Sequence, residues 1–564
     1  MDAPLIYAIV VGGIFVLLFM IKTAVYLANR PYLFTVPLLR HVALPVFIPR
    51  VGPFGPWTRA TTVLYLLYIT TNIFLVLLKT GGTAGVSRRA GTLALINLIL
   101  PLSTIHLSTL ADFFGIYLRT SQRVHRVTGW MGVILLCTHV ITAWVEKPDF
   151  PISESQNLYT LVGAGALGAL AILSLPLFRH WSYEVFLRTH HILSGVFVYG
   201  TWRHLPNRTS GPGIYLTVAL GLFSFSIVIP LIMFLHANGL FAGRGTPRAV
   251  ISFKYYRGKD DNGNSMMVLS GIVVHLVLPR PLKIDPGQYI NIWIPGVGLR
   301  AWMQTHPFMV TSWSGKKQDT LSLLIQPQKG LSKDYFGHAT GALDSSISFL
   351  ALFTGPHGIS EDIGNCETAL IVASDSGVAA AIPYIQKMIY GYNTSTSRLR
   401  RVHLVWQARS KGELNSFSAP LAATDKAANA VLAQDELNQL LEDDTILNEP
   451  VKDRSTTKKG YIFHLSVYLE SGLEGGKLPF GGHQRAFVDQ GEPDYRSLVS
   501  QEASGELIEK TPNIPYEQGQ LLLMISAADP IRYELREIMR GYISERIKLL
   551  EVEYQPYNTT SRWH

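Results

Sequence analysis

Acidic residues are scarce in the first part of this chain. Of the 40 Asp and Glu residues in the 564-residue sequence, six precede residue 241 and the remaining 34 follow it. Charged residues make up 16% of the chain, whereas an ordinary soluble protein contains about 25%. Together with a hydrophobic content of 48%, this distribution predicts a membrane-embedded part up to about residue 240 and a soluble part after it.

Cysteine is almost absent. Cys137 and Cys366 are the two cysteines of the sequence, which excludes a disulfide framework and a four-thiolate metal site. The sequence has no C-x-x-C-H motif, so any haem would be bound without covalent attachment through that motif. The formal net charge is +9, but no basic run is interleaved with aromatic residues. Nucleic acid is therefore not an expected partner, and basic loops beside anionic lipid headgroups explain the charge.

Apolar segments of about 20 residues, the length that crosses a bilayer, recur along the first part of the chain. Seven such spans are predicted, at residues 5–27, 59–79, 91–112, 124–145, 158–177, 184–204 and 213–236. Arginine-rich loops follow the first, third and fifth spans, and such loops favour the cytoplasmic side. We therefore expect a multi-pass protein of the cell membrane, with its amino terminus and the Asn207 glycosylation sequon outside and its soluble part in the cytosol.

Two of the predicted spans carry histidines with the same spacing. His125 and His139 are fourteen residues apart, as are His190 and His204. Fourteen residues of α-helix rise about 21 Å and leave about 40° of rotation, so both side chains of each span share one face. We expect His125 to meet His190 near the cytoplasmic side (the inner pair) and His139 to meet His204 near the outer side (the outer pair). His191 lies about 140° from the face of His204.

Facing histidines in a helix bundle are typical of haem sites, where each iron takes one imidazole nitrogen from either side. A single membrane histidine is more often a packed, hydrogen-bonded residue, and that interpretation suits His106, His180 and His236. The matched spacing on two parallel helices instead favours two noncovalently bound b-type haems, held by the inner and outer pairs.

The soluble part begins at about residue 246 with strand and turn patterns. "SGIVVHLVLP" and "GQYINIWIP" predict a small antiparallel barrel. "TALIVASDSGVAAAIPYIQKMIY" (368–390) predicts a strand, a small-residue turn around Gly377 and a helix, which is a possible phosphate site. "LRRVHLVWQARS" predicts another strand, which ends near Arg409, where a reader of a nucleotide 2′-phosphate would lie. Residues 411–460 are a polar insertion, and its helical pattern predicts a solvated surface helix.

With these motifs in this order, the chain resembles the fungal ferric reductase family, relatives of the NADPH oxidases, over about residues 60–564. The resemblance rests on the paired histidines, an H-P-F motif at 306–308, a G-P-x-G turn at 355–358, the "HLVW" strand and a terminal tryptophan. It implies an all-α transmembrane haem-binding bundle followed by a cytosolic ferredoxin-reductase-like pair, an antiparallel β-barrel FAD domain and an α/β NADP domain. The implied domains are an N-terminal transmembrane helix and cytoplasmic loop (1–58), a six-helix haem domain (59–240), the FAD barrel (246–355) and the NADP domain (356–564).

The resemblance also implies which residues bind the cofactors. For FAD these are His306, Pro307, Phe308, Thr311, Gly330 and Ser332. For NADPH they are Gly355, Gly358, Gly377 and Arg409. The aromatic residue that covers the flavin ring in relatives corresponds to Trp563, which is the candidate catalytic residue.

The implied reaction is transmembrane electron transfer from cytosolic NADPH through FAD and two haems to an external ferric chelate. Two alternatives stay open. The same electron-transfer path could end on oxygen and produce superoxide, or the protein could be a catalytically degenerate membrane scaffold. The second arises because Met309 stands where the family usually has Thr or Ser. In addition, Ala528-Asp529-Pro530 stands where the family has Cys-Gly-Pro. No obligate protein partner is expected.

Overall fold

The computed structural model divides the chain into two compact units, Met1–Ile232 and Met233–Tyr557. It describes residues 4–9, 44–48, 57–146, 149–176, 178, 183–205, 209, 211–240, 245–259, 265–297, 305–325, 347–408, 437–444, 461–469, 477–480, 483–508, 519–542 and 546–552. The predicted first span (5–27) and most of the 411–460 insertion therefore lie outside the described residues.

Helices make up most of the first unit. They are α1 (Arg59–Leu77), α2 (Thr83–Leu102), α3 (Leu107–Phe114), α4 (Leu118–Glu146), α5 (Ser155–Leu173), α6 (Tyr183–His204) and α7 (Pro212–Ala237), the last of which crosses into the second unit. A short antiparallel pair, β1 (Val46–Ile48) and β2 (Trp57–Thr58), precedes α1. Thr58 caps α1, because its side chain accepts a hydrogen bond from the Thr61 backbone N–H, which is one of the donors that a helix start leaves unpaired.

Four of the described helices, α1, α4, α5 and α7, are long and apolar enough to cross a bilayer. The bent pair formed by α2 and α3 counts as a fifth candidate if it is one span. Helix α6 falls outside this set because it is less apolar, since it carries Arg188, His190 and His191. The chain is thus a multi-pass membrane protein, although fewer helices meet the criterion than the seven spans that the sequence predicts.

The predicted span 91–112 is wrong as a single straight helix. Helix α2 ends at Leu102, and α3 leaves it at an angle of 95°. Hydroxyl side chains build the turn between them: Ser103 Oγ donates to the Leu100 carbonyl at 2.8 Å, and Thr104 Oγ1 accepts from the His106 backbone N–H at 3.1 Å. Such side chains compete with the helical hydrogen bonds of the backbone. A hydropathy window does not register this competition.

A buried polar cluster ties α1 and α2 together. Asn97 Nδ2 donates to Asn72 Oδ1 at 2.8 Å, and Tyr68 donates to Asn97 Oδ1. Tyr7, in the helical segment 4–9, accepts from Asn72 Nδ2 at 3.3 Å. Both asparagines are buried. Interhelical hydrogen bonds of this kind hold membrane helices in register, so the cluster fixes how these three segments pack.

The second unit begins with an antiparallel barrel of two sheets. Its strands are β3 (Arg248–Lys259), β4 (Ser265–Leu282), β5 (Tyr289–Trp293), β6 (His306–Met309), β7 (Gln318–Ile325), β8 (Ile347–Leu350) and β9 (Leu352–His357). The sheet orders are β7-β4-β3-β8 and β6-β5-β9. Alternate side chains of these strands fill one buried apolar core, which includes Ile251, Val274, Leu276, Ile290 and Leu323. The predicted barrel is confirmed.

A seven-stranded sheet follows. Its strands are β10 (Cys366–Ser374), β11 (Arg401–Ala408), β12 (Phe463–Leu469), β13 (Leu478–Phe480), β14 (His483–Gln490), β15 (Gln520–Ser526) and β16 (Ile547–Glu551). The order is β13-β14-β12-β11-β10-β15-β16, parallel except for the β13–β14 pair. Helices α8 (Val378–Asn393), α9 (Tyr495–Ser504) and α10 (Asp529–Tyr542) accompany it. The predicted α/β fold is therefore confirmed.

The described part of the 411–460 insertion is a buried helix, so the predicted solvated surface helix is wrong for residues 437–444. Leu437, Leu440 and Leu441 are at most 1% exposed, because their spacing of three and four residues forms one apolar stripe. Asp444, also buried, accepts from the Phe463 backbone N–H at 3.2 Å and from Arg485 at 2.5 Å. The polar composition of the whole insertion hid this short stripe.

A buried polar network joins α9 to the sheet. Glu502, on α9, accepts from Arg401 Nε at 2.9 Å and contacts His403 Nδ1 at 2.8 Å. His403 Nε2 lies 2.8 Å from Ser466 Oγ on β12. Burial alone would raise the pKa of the Glu502 carboxyl, but the hydrogen bonds from His403 and Arg401 hold it below its usual value. Glu502 is thus ionised at neutral pH.

We expect Glu502→Ala to destabilise the soluble part, because it leaves Arg401 and His403 buried without their carboxylate. Breaking a buried pair costs roughly 3–5 kcal/mol, which would lower the midpoint of heat unfolding by on the order of 10 °C. Differential scanning fluorimetry of the purified full chain measures this, with exposed Glu506→Ala as the control. The stabilisation should be present above the unfolded-state pKa of about 4.3 and be lost as the pH falls through the lower folded-state value. Equal midpoints for the two variants would contradict the prediction.

Candidate functional site

The four fourteen-spaced histidines form two facing pairs between α4 and α6. The ring centroids of His125 and His190 are 6.1 Å apart, and those of His139 and His204 are 6.3 Å apart. Because both pairs meet, α4 and α6 run side by side in the same direction, as the sequence predicts. The structure therefore brings together the predicted inner and outer pairs.

The spacing of each pair suits a shared metal ion. Two metal–imidazole bonds of about 2 Å each, with the near half of each ring, span about 6 Å. Gly129 lies on the His125 face of α4, and a Cβ atom there would meet nothing within 4 Å, so the space beside the inner pair is open. Within the described ranges, no group of three or more His, Cys, Asp or Glu side chains is placed to hold a metal ion. The histidine pairs are therefore the metal-site candidates that the structure offers.

The inner pair retains buried nitrogens that have no protein partner. His125 Nδ1 and His190 Nδ1 make no hydrogen bond to any described residue. His190 packs against Phe186, one turn earlier on α6, with ring centroids 5.4 Å apart. Its neighbour His191 turns to another side of the helix, and the imidazole that faces His125 is that of His190.

Two hydroxyl residues that sequence reasoning missed contact the outer pair. His139 Nδ1 lies 2.9 Å from the Ser87 carbonyl oxygen and 3.1 Å from Ser87 Oγ, on α2. His204 Nδ1 lies 2.9 Å from Thr160 Oγ1, on α5. No spacing could have revealed them, because each lies on a different helix from the histidine that it contacts.

The predicted flavin motif forms the edge strand β6 of the barrel. His306 and Phe308 share one face of the strand, with ring centroids 6.4 Å apart, and Pro307 pairs with Asn291 of β5. A proline, which has no N–H to donate, is tolerated at such an edge. Burial lowers the pKa of the His306 imidazole, so this side chain is neutral at pH 7.

Met309 and Thr311, the next alternate residues, are both buried, but on the opposite face of the chain from Phe308 and Val310, which belong to the barrel core. Met309 is 5% exposed, so a buried apolar side chain replaces the family's usual hydroxyl residue. Thr311 is buried as well, and its Oγ1 donates to the Ser322 carbonyl at 3.0 Å. The Thr311 hydroxyl proton is therefore used in a hydrogen bond to strand β7 of the barrel. Only the lone pairs of its oxygen remain for a ligand.

The G-P-x-G turn comes at the end of β9. Gly355 and Gly358 have φ angles of +120° and +96°, a region that residues with a Cβ atom rarely adopt. A Cβ atom on Gly355 would lie 3.1 Å from the Tyr289 carbonyl, and one on Gly358 would lie 3.2 Å from the Gly287 carbonyl. Both glycines are therefore required by the backbone path of the turn, whether or not they contact a nucleotide.

Gly377 lies where the order of the parallel sheet reverses. From β10 the chain goes to β11 on one side, while β15 lies on the other side of β10. A Cβ atom on Gly377 would be 2.0 Å from the Ser526 carbonyl at the end of β15. The Ala528 backbone N–H donates to Ser374 Oγ at 2.8 Å, which joins the same two strand ends. Ligands of open α/β sheets bind at such a switch point, at the carboxyl ends of the strands.

Four predicted site residues, Gly330, Ser332, Arg409 and Trp563, lie outside the described residues. Arg409 directly follows Ala408, the last residue of β11, and β11 ends at the same edge of the sheet as β10. The roles of these four residues stay predictions.

Gly377→Ala is expected to destabilise the α/β domain, because the added methyl group would overlap a backbone carbonyl. Overpacking of this kind costs typically 1–3 kcal/mol. Heat unfolding of the full chain, followed by scanning fluorimetry, should show a midpoint several degrees lower. Gly541→Ala is the matched control, since a Cβ atom there would meet nothing within 4 Å. Equal midpoints for the two variants would exclude this steric role.

Two family models match the chain. Residues 90–201 match the ferric reductase like transmembrane component, and residues 263–361 match an FAD-binding domain. The first match contains three of the four paired histidines and ends just before His204. The second contains the H-P-F motif and the G-P-x-G turn. The predicted FAD domain is confirmed.

Curated relatives are ferric reductases of fungi and plants. The chain is 24% identical over 342 residues to a probable cell surface ferric reductase of Aspergillus oryzae, which covers 56% of this chain and 43% of that protein. It is 23% identical over 306 residues to ferric/cupric reductase transmembrane component 2 of Saccharomyces cerevisiae (52% and 38%). It is 25% identical over 318 residues to ferric reduction oxidase 5 of Arabidopsis thaliana (53% and 39%). The matched region thus spans about two fifths of the length of these relatives.

Among solved structures, a flavohaemoglobin from Malassezia yamatoensis with bound FAD and haem aligns at 13% identity and a TM-score of 0.33, over 83% of this chain and 98% of that chain. The FAD/NAD-binding domain of a nitric oxide dioxygenase from Vibrio cholerae aligns at 15% identity and a TM-score of 0.28, over 54% and 98%. These scores are too low to carry an argument, so the likeness to ferric reductases rests on the sequence matches. The chain is similar to ferric reductases, with a region that matches their transmembrane component followed by a region that matches an FAD-binding domain.

Proposed function

We propose that this protein transfers electrons from cytosolic NADPH through FAD and two b-type haems to ferric chelates on the other side of the cell membrane. The observation that carries the proposal is the pair of facing histidine sites, with ring centroids 6.1 and 6.3 Å apart, within and beside the ferric-reductase-like region. When bound, FAD takes up a hydride and releases single electrons, and haem iron carries them one at a time.

Each histidine pair would hold one haem. His125 and His190 would hold the inner haem, and His139 and His204 would hold the outer haem. The two sites are separated along α4 by fourteen residues, or about 21 Å of helix. This separation is about two thirds of the thickness of a bilayer core, which is about 30 Å. The two candidate sites would then lie near opposite membrane faces.

The barrel and the α/β domain would bind FAD and the nicotinamide nucleotide. His306, Pro307 and Phe308 would line the flavin, with Thr311, Gly330 and Ser332 nearby and Trp563 over the ring. Gly355, Gly358 and Gly377 would let the nucleotide approach the backbone, and Arg409 would bind the 2′-phosphate that distinguishes NADPH from NADH. The neutral His306 imidazole can hydrogen-bond to the cofactor without bringing a charge to the flavin edge.

The amino terminus would lie outside and the soluble domains in the cytosol, as the arginine-rich loops favour. Arg203, at the outer end of α6, stacks over the Tyr159 ring at 4.7 Å. A guanidinium held in this way near the outer pair would attract anionic iron chelates toward that end of the bundle.

We expect a ferric chelate to support NADPH oxidation well above the rate with oxygen alone. The test uses the purified full chain in detergent, supplemented with FAD and haem. NADPH consumption is followed in two parallel assays with acceptors at matched concentrations. One contains ferric chelate under argon, and the other contains oxygen, supplied by air, without chelate. Superoxide formation that accounts for all NADPH consumed, without stimulation by iron, would instead identify an oxidase. Absence of bound flavin and low-spin haem from the absorbance spectrum would indicate a scaffold.

The geometry of the inner pair predicts that His190, and not His191, holds the inner haem. His190→Ala should reduce the haem content from two to about one per chain and stop electron transfer to the chelate, while NADPH still reduces FAD. His191→Ala is the adjacent control and should retain both haems, because His191 does not face His125. Haem content is measured by the pyridine haemochrome assay on protein quantified by amino-acid analysis. Loss of haem from the His191 variant alone would assign the ligand to His191.

A further inference from the structure

The hydrogen bonds of the outer pair determine which nitrogen of each imidazole carries the proton. His139 Nδ1 lies 2.9 Å from the Ser87 carbonyl oxygen, which can only accept, so Nδ1 must donate. The Ser87 hydroxyl donates to the His139 carbonyl at 3.2 Å, which leaves its oxygen free to accept from the same Nδ1–H at 3.1 Å. The lone pair of His139 is therefore on Nε2.

The same reasoning applies to His204. Thr160 Oγ1 donates its proton to the Gln156 carbonyl, one helical turn earlier, at 2.9 Å. Toward His204 Nδ1, at 2.9 Å, the threonine oxygen can then only accept. Nδ1 of His204 is the donor, and its lone pair is also on Nε2. Both outer histidines are thus held in the tautomer that can bind iron through Nε2.

Glycines bring these hydroxyl residues within reach. Gly91 follows Ser87 by one turn of α2, and a Cβ atom there would lie 3.1 Å from His139 Nδ1. Gly200 precedes His204 by one turn of α6, and a Cβ atom there would lie 2.8 Å from the Cα atom of Gly163 and from the Tyr159 carbonyl, on α5. Each outer histidine is therefore paired with a hydroxyl residue on a neighbouring helix and a glycine that permits the close approach.

The inner pair is built differently. His125 Nδ1 and His190 Nδ1 have no hydrogen-bond partner in the described part of the chain. The hydroxyl groups about one turn further along each helix, on Thr128 and Ser194, donate to carbonyls of their own helices, Val124 O at 2.8 Å and His190 O at 2.7 Å. The two sites have identical ligand types but different surroundings.

We propose that Ser87 and Thr160 are positioning residues that fix His139 and His204 as Nε2 ligands and lower the reduction potential of the outer haem. An acceptor on Nδ1–H makes the imidazole a stronger electron donor through Nε2, which favours the ferric state. The outer haem would consequently be a stronger reductant for an external acceptor. This inference rests on the proposed function, since it requires a haem between His139 and His204.

The test is a redox titration of the two haems in the purified full chain, monitored by absorbance, together with electron paramagnetic resonance of the ferric protein. Thr160→Val removes the acceptor with little change in shape. We expect both haems to remain bound and one midpoint potential to rise by about 59 mV, equivalent to a tenfold change in a one-electron equilibrium. Thr160→Ser, which keeps the oxygen, should restore the wild-type potential.

Matched variants separate positioning from packing. Thr128→Val deletes a hydroxyl on α4 that contacts no imidazole nitrogen, and it should leave both potentials unchanged. Gly91→Ala presses on the His139 ring and should change the g values of one low-spin haem. Loss of one haem in Thr160→Val but not in Thr160→Ser would also support the proposal.

Two results would overturn it. If Thr160→Val leaves both potentials and both resonance signals unchanged, the hydroxyl has no influence on the outer site. If Thr160→Val and Thr160→Ser lose haem equally, Thr160 contributes only to packing. A wild-type protein without bis-imidazole haem would refute the proposed function itself, and that spectrum is recorded before any variant is compared.

Discussion

The membrane bundle depends on one constraint: an imidazole inside it has two polar nitrogens, and each needs a partner. A buried polar atom left without one costs roughly 1–3 kcal/mol. In the outer pair, Ser87 and Thr160 satisfy Nδ1 of each ring, so that Nε2 is the nitrogen that could bind a ligand. In the inner pair, even the Nδ1 atoms are unpartnered among the described residues. Four histidines in such surroundings are costly, and a ligand that takes nitrogen from both sides offsets that cost.

Close approach through glycine recurs in both units of the chain. In the bundle, Gly200 lets α6 contact α5 so closely that the Thr160 hydroxyl reaches His204. In the α/β domain, Gly377 lets the turn after β10 contact the last carbonyl of β15. A Cβ atom at either position would separate elements that must meet. These glycines are needed because the atoms that a Cβ atom would overlap belong to the backbone of the neighbouring element, which cannot move aside as a side chain can.

The periodicity of the sequence predicted features that are set within a single helix or strand. The fourteen-residue spacing on α4 and α6 predicted both histidine pairs, because helix phase is fixed along one helix. The barrel and the parallel sheet followed from alternating and continuous apolar strands. Other contacts between elements were not predictable: nothing in the pattern indicates that Ser87 would meet His139, or that α2 would end at Leu102. The stripe of Leu437, Leu440 and Leu441 was present in the sequence, but the polar composition around it concealed it.

The two histidine pairs are equivalent in sequence and unequal in structure, and this difference distinguishes the two ends of the bundle. Axial ligands of the same type would give two haems similar potentials. A difference between the sites must then come from what surrounds the ligands. Helices α2 and α5 place acceptors against His139 and His204, at one end of the bundle. A symmetric pair of ligand helices thus acquires two unequal sites from its two neighbours, so the residues that set the difference between the sites lie outside the helices that would bind the metal.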